Sequence, residues 1–175
     1  METKTRKLDG CINTYSGLKI NLLNPQPNQI DIRDIGKGLA YKGHFGGQTP
    51  FYFSIAQHST LVVQIMIETQ EFDPEMLMLG LLHDASKAYI GDMVKPLKVH
   101  LDEFVNYENQ ITKIICEKFE LNYFRLNEIK PFDIIAQDLE YHTFFENGKR
   151  LNGLNPDESY DEFMKLFNHI NEKLC

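Results

Sequence analysis

The sequence predicts an all-α helical bundle with a small N-terminal β-hairpin. From about residue 54 onward, apolar residues recur at helical spacing, and helix-start signals divide the region into separate segments. The first 30 residues instead carry short apolar stretches on either side of Ser16-Gly17, a good hairpin turn, followed by the turn-rich segment NPQPNQ. A helical protein with one small β excursion follows from these two observations.

Length and composition are those of one globular domain. The chain has 175 residues, of which 42% are hydrophobic and 25% charged, enough to bury a sizeable core. We expect a hairpin and loop in residues 1–30, a helical core with a metal site in 31–147, and a C-terminal loop and helix in 148–175. Cys11, Cys116 and Cys175 lie far apart, which argues against a zinc clasp or a disulfide framework.

Charge and hydropathy exclude two kinds of partner. The net charge of −7 argues against a surface that binds a nucleic-acid polymer, although a local cationic pocket for a small phosphate is compatible with it. No apolar run reaches the length of a membrane span, and the start METKTRKLDG has no signal-peptide core. The sequence therefore predicts a cytoplasmic protein that does not bind membranes.

Periodicity and caps predict the helices in chain order. Ile32, Ile35 and Leu39 mark a first helix, and GHFGGQTP after it is typical of a flexible loop. A helix over residues 54–69 follows. The next begins at Asp73-Pro74-Glu75, is apolar nearly all round, and is expected to run buried to about Ala88, before Gly91. Three more helices are predicted over residues 104–119, from Pro131 to about Glu146, and from Asn155-Pro156-Asp157 onward.

Three residues on two adjacent helices could supply metal ligands. His58 lies on the apolar face of the 54–69 helix, and His83-Asp84 falls near the end of the buried helix that follows. Taken alone, a core histidine or a His-Asp pair is more often structural. Together they offer three nitrogen and oxygen donors to a divalent cation, and a carboxylate from a later helix would complete the site.

The order of these residues resembles the H…HD…D pattern of the HD-domain metal-dependent phosphohydrolases. The segments INTYSGLKINLLNPQPNQIDIRDIGKGL, FYFSIAQHS, GLLHDASKAYIGDMVKPLK and EIKPFD are similar to successive blocks of the branch that includes bacterial 5′-deoxynucleotidases and phage deoxynucleotide triphosphohydrolases. The likeness covers roughly residues 12–145. H…HD…D alone is a loose signature, whereas AQHS followed by LLHDAS is much more specific.

This resemblance implies a fold, a cofactor and an activity. The fold would be an HD-domain helical bundle, and the cofactor one divalent metal ion (Mn, Co, Fe, Zn, Ni or Mg). The activity would be a hydrolase reaction on a nucleotide, in particular a deoxynucleotide, or on a related small phosphate ester. The family likeness is also consistent with a homodimer.

The fourth metal ligand has two candidates, Asp133 and Asp138. The segment IKPFD resembles the family block in which a lysine precedes the ligating aspartate, and this points to Asp133. Helical geometry agrees, because Asp133, Gln137 and Glu140 share a face that would look into the pocket. Asp138 lies on a different face and is the less favoured alternative.

Lys87 is the main departure from the family pattern, which has a glutamate at this position to handle the attacking water. A lysine about 5 Å from a divalent ion costs roughly 6–7 kcal/mol at an effective dielectric constant of about 20. Lys87 would therefore lose its proton and act as a general base, swing away, or prevent metal binding. As an ammonium it could hold substrate phosphate, leaving Asp92 or Glu140 to handle water. A lysine paired with a surface carboxylate is the remaining alternative.

Four further residues are candidates for the substrate side of the site. His44 matches the position of an arginine that binds substrate in the family, and Asp92 resembles the aspartate of its Gly-Asp pair. Lys95 and Lys98 flank Pro96 at the expected mouth and could meet phosphate oxygens. Because of Lys87, a metal- or nucleotide-binding protein of weakened activity stays open as an alternative. A third alternative is a helical interaction protein in which the His-Asp pair is purely structural.

Overall fold

The computed structural model describes residues 9–146 and 151–174. A two-stranded antiparallel hairpin, β1 (Cys11–Asn13) and β2 (Lys19–Asn21), opens the described chain, with Ile12 opposite Ile20. Its turn contains Gly17 at φ +90°, a conformation that favours glycine. The predicted hairpin is confirmed, and the rest of the described chain is mainly helical, as predicted.

The helices begin where the caps predict. Ser54 and Gln57 form a reciprocal capping box at the start of α2, and Asp73 caps α3. Within the described residues the helices are α1 (Ile32–Ala40), α2 (Ile55–Thr69), α3 (Pro74–Leu82), α4 (Lys87–Ile90), α5 (Lys95–Lys98), α6 (Asp102–Lys118), α7 (Lys130–Phe145) and α8 (Pro156–Asn171), with 3₁₀ turns at Pro27–Gln29, Phe45–Gly47 and Tyr123–Ile129.

Helix α2 lies at the centre of the fold and positions the site. It packs against α1, α3, α7 and α8, and ten of its residues are buried. The face that meets α7 carries His58, which is completely buried. No helix in the described ranges is long and apolar enough to cross a membrane.

The single helix predicted from Asp73 to about Ala88 is wrong, because α3 ends at Leu82 and α4 begins only at Lys87. The Gly80 carbonyl, which a continuing helix would offer to the amide of residue 84, accepts instead from Nδ1 of His83 at 2.8 Å. The chain then proceeds through turns, such as the bond from the Ala85 amide to the Leu82 carbonyl. This break separates His83 and Asp84 from regular helix.

The segment predicted as a flexible loop, GHFGGQTP, is held in place at one end. Gly43 forms an isolated antiparallel bridge with Ser54, and the His44 amide donates to the Phe53 carbonyl at 2.8 Å. His44 is buried as a result. The start of the C-terminal loop predicted at 148–150 lies outside the described residues, as do residues 1–8 and Cys175, whereas the last helix is confirmed as α8.

Replacing Gly38 with alanine should destabilise the protein, although alanine is the better helix former by about 1 kcal/mol. A Cβ at Gly38 would lie 2.7 Å from the Ala88 carbonyl oxygen, a backbone atom that cannot move away by a change of rotamer. Overpacking of this kind typically costs about 1–3 kcal/mol, so the free energy of unfolding should fall by about 1 kcal/mol or more in urea titrations.

Gly36→Ala in the same helix is the matched control. Its Cβ would lie 3.1 Å from Met164 Sδ and 3.2 Å from ring atoms of Phe163 and Tyr160, so that only side chains, and no backbone, would have to shift. We expect a smaller loss there. Equal losses at the two positions, or stabilisation by Gly38→Ala, would contradict the contact drawn between α1 and α4.

Candidate metal centre

Four side chains from three parts of the chain converge in the interior. His58 Nε2, on α2, lies 3.2 Å from Asp133 Oδ1, on α7, and 3.8 Å from Asp84 Oδ2. His83 Nε2, at the end of α3, lies 3.5 Å from Asp84 Oδ2 and 3.9 Å from Asp133 Oδ1. The structure thus brings together the four residues that the sequence predicts as ligands.

The two histidines are held in the orientation that metal ligands require. His58 Nδ1 donates to Glu140 Oε1 at 2.7 Å, and His83 Nδ1 donates to the Gly80 carbonyl. Their Nε2 atoms are buried and have no hydrogen-bond partner among the described residues. Ligating histidines commonly use the second ring nitrogen in this way, so these residues fit a divalent ion that takes imidazole and carboxylate ligands.

The electrostatics of the cluster call for positive charge. Burial lowers the pKa of His58, but the carboxylates of Glu140, Asp133 and Asp84 outweigh it and raise the pKa to about 10. Burial dominates at His83, whose pKa is lowered. Without an ion, protonated His58 balances the buried carboxylates. A divalent cation would take over that task and leave both imidazoles neutral, as ligation requires.

Asp133 is the carboxylate that α7 brings to the centre. Gln137 donates to its Oδ1 at 2.6 Å, and Lys130 forms an ion pair with its Oδ2. Burial raises the pKa of Asp133, but the close contact with His58 and the neighbouring charges hold it well below its usual range. Asp138, the alternative candidate, is exposed on another face of α7 and does not reach the centre.

A second group of possible ligands lies on the other side of the His58 ring. His44 stacks on His58 with ring centroids 4.5 Å apart, and its nitrogens lie 3.3 Å from Glu140 and 3.4 Å from Asp92, within ion-pair range but outside hydrogen-bond geometry. His44, His58 and Glu140 could also hold a metal ion. That arrangement would break the hydrogen bond between His58 and Glu140, so we place the ion at the Nε2 side.

Glu140 does not occupy the place expected of it. The sequence suggests that it looks into the pocket and handles water, but its side chain is fully buried behind His58 and lines neither cavity next to the centre. Its geometry is that of a residue that positions the imidazole. The sequence could not distinguish the two roles, because both place Glu140 on the same face of α7 as Asp133.

Lys87 lies between two carboxylates. Its Nζ is 2.9 Å from Asp84 Oδ2 and 2.8 Å from Asp92 Oδ1. Burial disfavours the ammonium, but these two carboxylates raise the pKa of Lys87 above its ordinary value. A deprotonated Lys87 acting as general base is therefore not supported. The alternative of a lysine paired at the surface is also wrong, since only 13% of the side chain is exposed.

The carboxylates of Asp84 and Asp92 offset the repulsion expected between the Lys87 ammonium and a divalent ion. Each contact at about 2.9 Å contributes roughly 6 kcal/mol of attraction at an effective dielectric constant of about 20, against roughly 6–7 kcal/mol of repulsion from a divalent ion. Burial raises the pKa of Asp92, but the contacts with His44 and Lys87 lower it to about 2. Asp92 is accordingly ionised and Lys87 protonated at neutral pH.

Two cavities meet at the centre. The larger, of about 670 Å³, and the smaller, of about 310 Å³, are both lined by Asp84, Asp133 and Lys98. Lys98 also forms an ion pair with Glu108, while Lys95 is exposed at the larger cavity. All the residues predicted for the substrate side line the larger cavity: His44, Asp92, Lys95 and Lys98.

The apolar wall of the larger cavity was not foreseen from the sequence. Phe45, Val94, Val99 and Val105 line it together with the charged residues. In the sequence these positions are indistinguishable from core or loop residues, because nothing local marks an apolar side chain that faces a cavity. The resulting site combines charged groups beside the candidate metal centre with apolar surface suited to the organic part of a ligand.

The fold and site together describe a helical protein with a candidate metal centre, and comparison with known proteins shows its family. No family model matches the chain. It is 34% identical over 110 residues to an uncharacterized protein of Rhodobacter capsulatus, an alignment that covers 61% of this chain and 56% of that protein. It is 31% identical over 176 residues to the uncharacterized protein YfdR of Escherichia coli K12, covering 92% and 96%. The chain belongs to the family of YfdR.

Asp133→Asn should remove most of the bound metal, because a neutral amide replaces one of the two carboxylates that face the histidines. Elemental analysis after incubation with Mn²⁺ or Zn²⁺ should give about one equivalent in the wild type and little in this variant. Asp138→Asn, on the exposed side of the same helix, should keep the full equivalent. Equal metal content in both variants would contradict the centre.

Glu140→Gln tests the support of His58. The amide oxygen can still accept from His58 Nδ1, but the negative charge behind the ring is lost, so metal affinity should fall by about 10-fold, and by about 100-fold for Glu140→Leu. Competition with a chromophoric chelator measures both. Glu146→Gln, an exposed change at the end of α7, should leave the affinity unchanged. Unaltered affinity in Glu140→Leu would remove Glu140 from the site.

Proposed function

We propose that this protein is a metal-dependent phosphohydrolase of the HD-domain type that acts on a nucleotide or a related small phosphate ester. The observation that carries the proposal is the pair of buried, unpartnered Nε2 atoms on His58 and His83, which face Asp84 and Asp133 beside an open cavity. The sequence resemblance to that class supports it as well, because the same four residues carry the resemblance.

The chemistry divides between the ion and the chain. A bound divalent ion would orient a phosphate oxygen and lower the pKa of a coordinated water. The chain's own residues hold the ligands in place: Glu140 and the Gly80 carbonyl fix the two imidazoles, and Gln137 fixes Asp133. Lys95, exposed at the cavity, is available to phosphate oxygens, and ionised Asp92 can accept a hydrogen bond from a sugar hydroxyl or a water.

A second function is favoured by one specific contact. The ammonium of Lys87 contacts Asp84 and Asp92 at the same time. In the HD-domain phosphohydrolases that the sequence resembles, the position of Lys87 holds a glutamate that handles water. A protein with this arrangement would bind metal and nucleotide but turn substrate over slowly. We therefore expect weak hydrolysis by the wild type.

The direct experiment is phosphate release from a panel of nucleotides. Ribo- and deoxyribonucleoside mono- and triphosphates are supplied with Mn²⁺, Co²⁺ or Mg²⁺, and metal content is measured on the same preparation. Metal-dependent release that disappears in His83→Ala would support the phosphohydrolase. Stoichiometric metal with no release from any nucleotide would favour the binding protein, and a chain without metal affinity would reject both.

Lys87→Glu should raise turnover, because it removes a cation beside the metal and restores an acceptor for water. General-base assistance is typically worth about 100-fold or more, so a rise of at least about 10-fold in kcat is expected. Lys165→Glu, an exposed change on α8 with the same charge difference, is the control. Loss of turnover in Lys87→Ala with metal retained would instead show that Lys87 takes part in the reaction. Unchanged turnover in both Lys87→Ala and Lys87→Glu would show that Lys87 has no role in it.

A further inference from the structure

A third cavity, of about 370 Å³, lies beneath the N-terminal hairpin, and the proposed reaction makes no use of it. The turn of the hairpin and α1 form its sides, and Lys42 with the middle of α4 completes it. Helix α4 contributes Lys87 to the larger cavity at the metal centre but Ala88 and Tyr89 to this one. The hairpin cavity is therefore a separate site, of a volume that suits a small molecule.

Lys42 supplies the cavity with an uncompensated cation. Its ammonium donates to the Ala88 carbonyl, and within residues 9–146 and 151–174 no carboxylate lies at ion-pair distance from it. Burial lowers the pKa of Lys42 without a neighbouring carboxylate to counter the effect. Burying an ammonium group against only a backbone carbonyl costs folding free energy, because no carboxylate compensates the lost hydration. An anion that enters the cavity would supply that compensation.

Aromatic rings and a second cation lie at the rim. Tyr15 and Tyr41 both line the cavity and are 64% and 48% exposed, a large aromatic surface to leave in water. Lys37 Nζ lies 3.8 Å from the centre of the Tyr41 ring and 5.4 Å from that of Tyr15, and its charge is paired with Asp157 at 3.3 Å. The carboxylate of Asp34 also reaches the cavity, but both its oxygens are engaged by Ser16.

We propose that the hairpin cavity binds a small aromatic phosphate of the nucleoside monophosphate class. Lys42 would contact the phosphate, and the planar ring would stack on Tyr15 at the rim. Lys42, which has no carboxylate at ion-pair distance among the described residues, favours an anion in the cavity, and the exposed tyrosine faces favour a flat ring. None of the residues involved belongs to the metal centre.

The test is isothermal titration of the full-length protein, freed of metal with a chelator, with adenosine monophosphate. Inorganic phosphate and adenosine are titrated separately, and each half should bind at least about 10-fold more weakly than the whole nucleotide. Lys42→Met keeps the aliphatic stem and removes the charge, and it should weaken binding by about 10-fold or more. Tyr15→Ala should weaken it by about 5-fold or more.

Two controls separate this site from the metal centre. Lys165→Met removes a cation elsewhere and His83→Ala disables the centre, and both should bind the nucleotide as the wild type does. Binding that persists in a folded Lys42→Met variant, that disappears in His83→Ala, or that is absent from the metal-free wild type would overturn the proposal. If Lys42→Met does not fold, Tyr15→Ala decides, because its side chain is exposed and its loss leaves the core intact.

Discussion

The candidate centre depends on one buried hydrogen bond, between His58 Nδ1 and the carboxylate of Glu140. It joins α2 to α7 in the interior, where neither group is exposed to water. A charge buried this deeply is costly unless it is paired, and the imidazole supplies the partner. The bond also fixes which ring nitrogen remains for other chemistry. Because Nδ1 is committed to Glu140, Nε2 is directed at Asp84 and Asp133, and the ligand geometry follows from that choice.

The fold was largely predictable because its signals are local. Apolar spacing, the capping residues Ser54, Asp73 and Asn155, and the Ser16-Gly17 turn each act over a few residues. Helices α2, α3 and α8 and the hairpin begin where those signals place them. The break after α3 was not predictable in this way. The residues around it are apolar and favour a helix, and the competing bond from His83 to the Gly80 carbonyl is visible only once the side chain is placed.

The site residues likewise divide into those that the sequence marks and those whose roles depend on contacts between distant parts of the chain. His58, His83, Asp84 and Asp133 could be found in the sequence because a family resemblance and helical spacing agree on them. The roles of Glu140 and Lys87 could not be found in the sequence, because each role depends on a partner from another part of the fold. Glu140 lies on the predicted face of α7 yet meets the back of His58, and Lys87 meets Asp92, which reaches it only because the chain reverses at Gly91, where φ is +87°.

Helix α4 lies between the candidate metal centre and the hairpin cavity. It has a single turn, from Lys87 to Ile90. Its first residue contacts Asp84 of the candidate centre and Asp92 beside it, and its second residue offers a carbonyl to Lys42. Gly38 allows α1 to approach so closely that any side chain there would meet Ala88. A helix of one turn has little stability of its own and takes its position from such contacts. The placement of Lys87 at the metal centre is therefore set in part by α1 and Lys42, on the side of α4 that faces the hairpin.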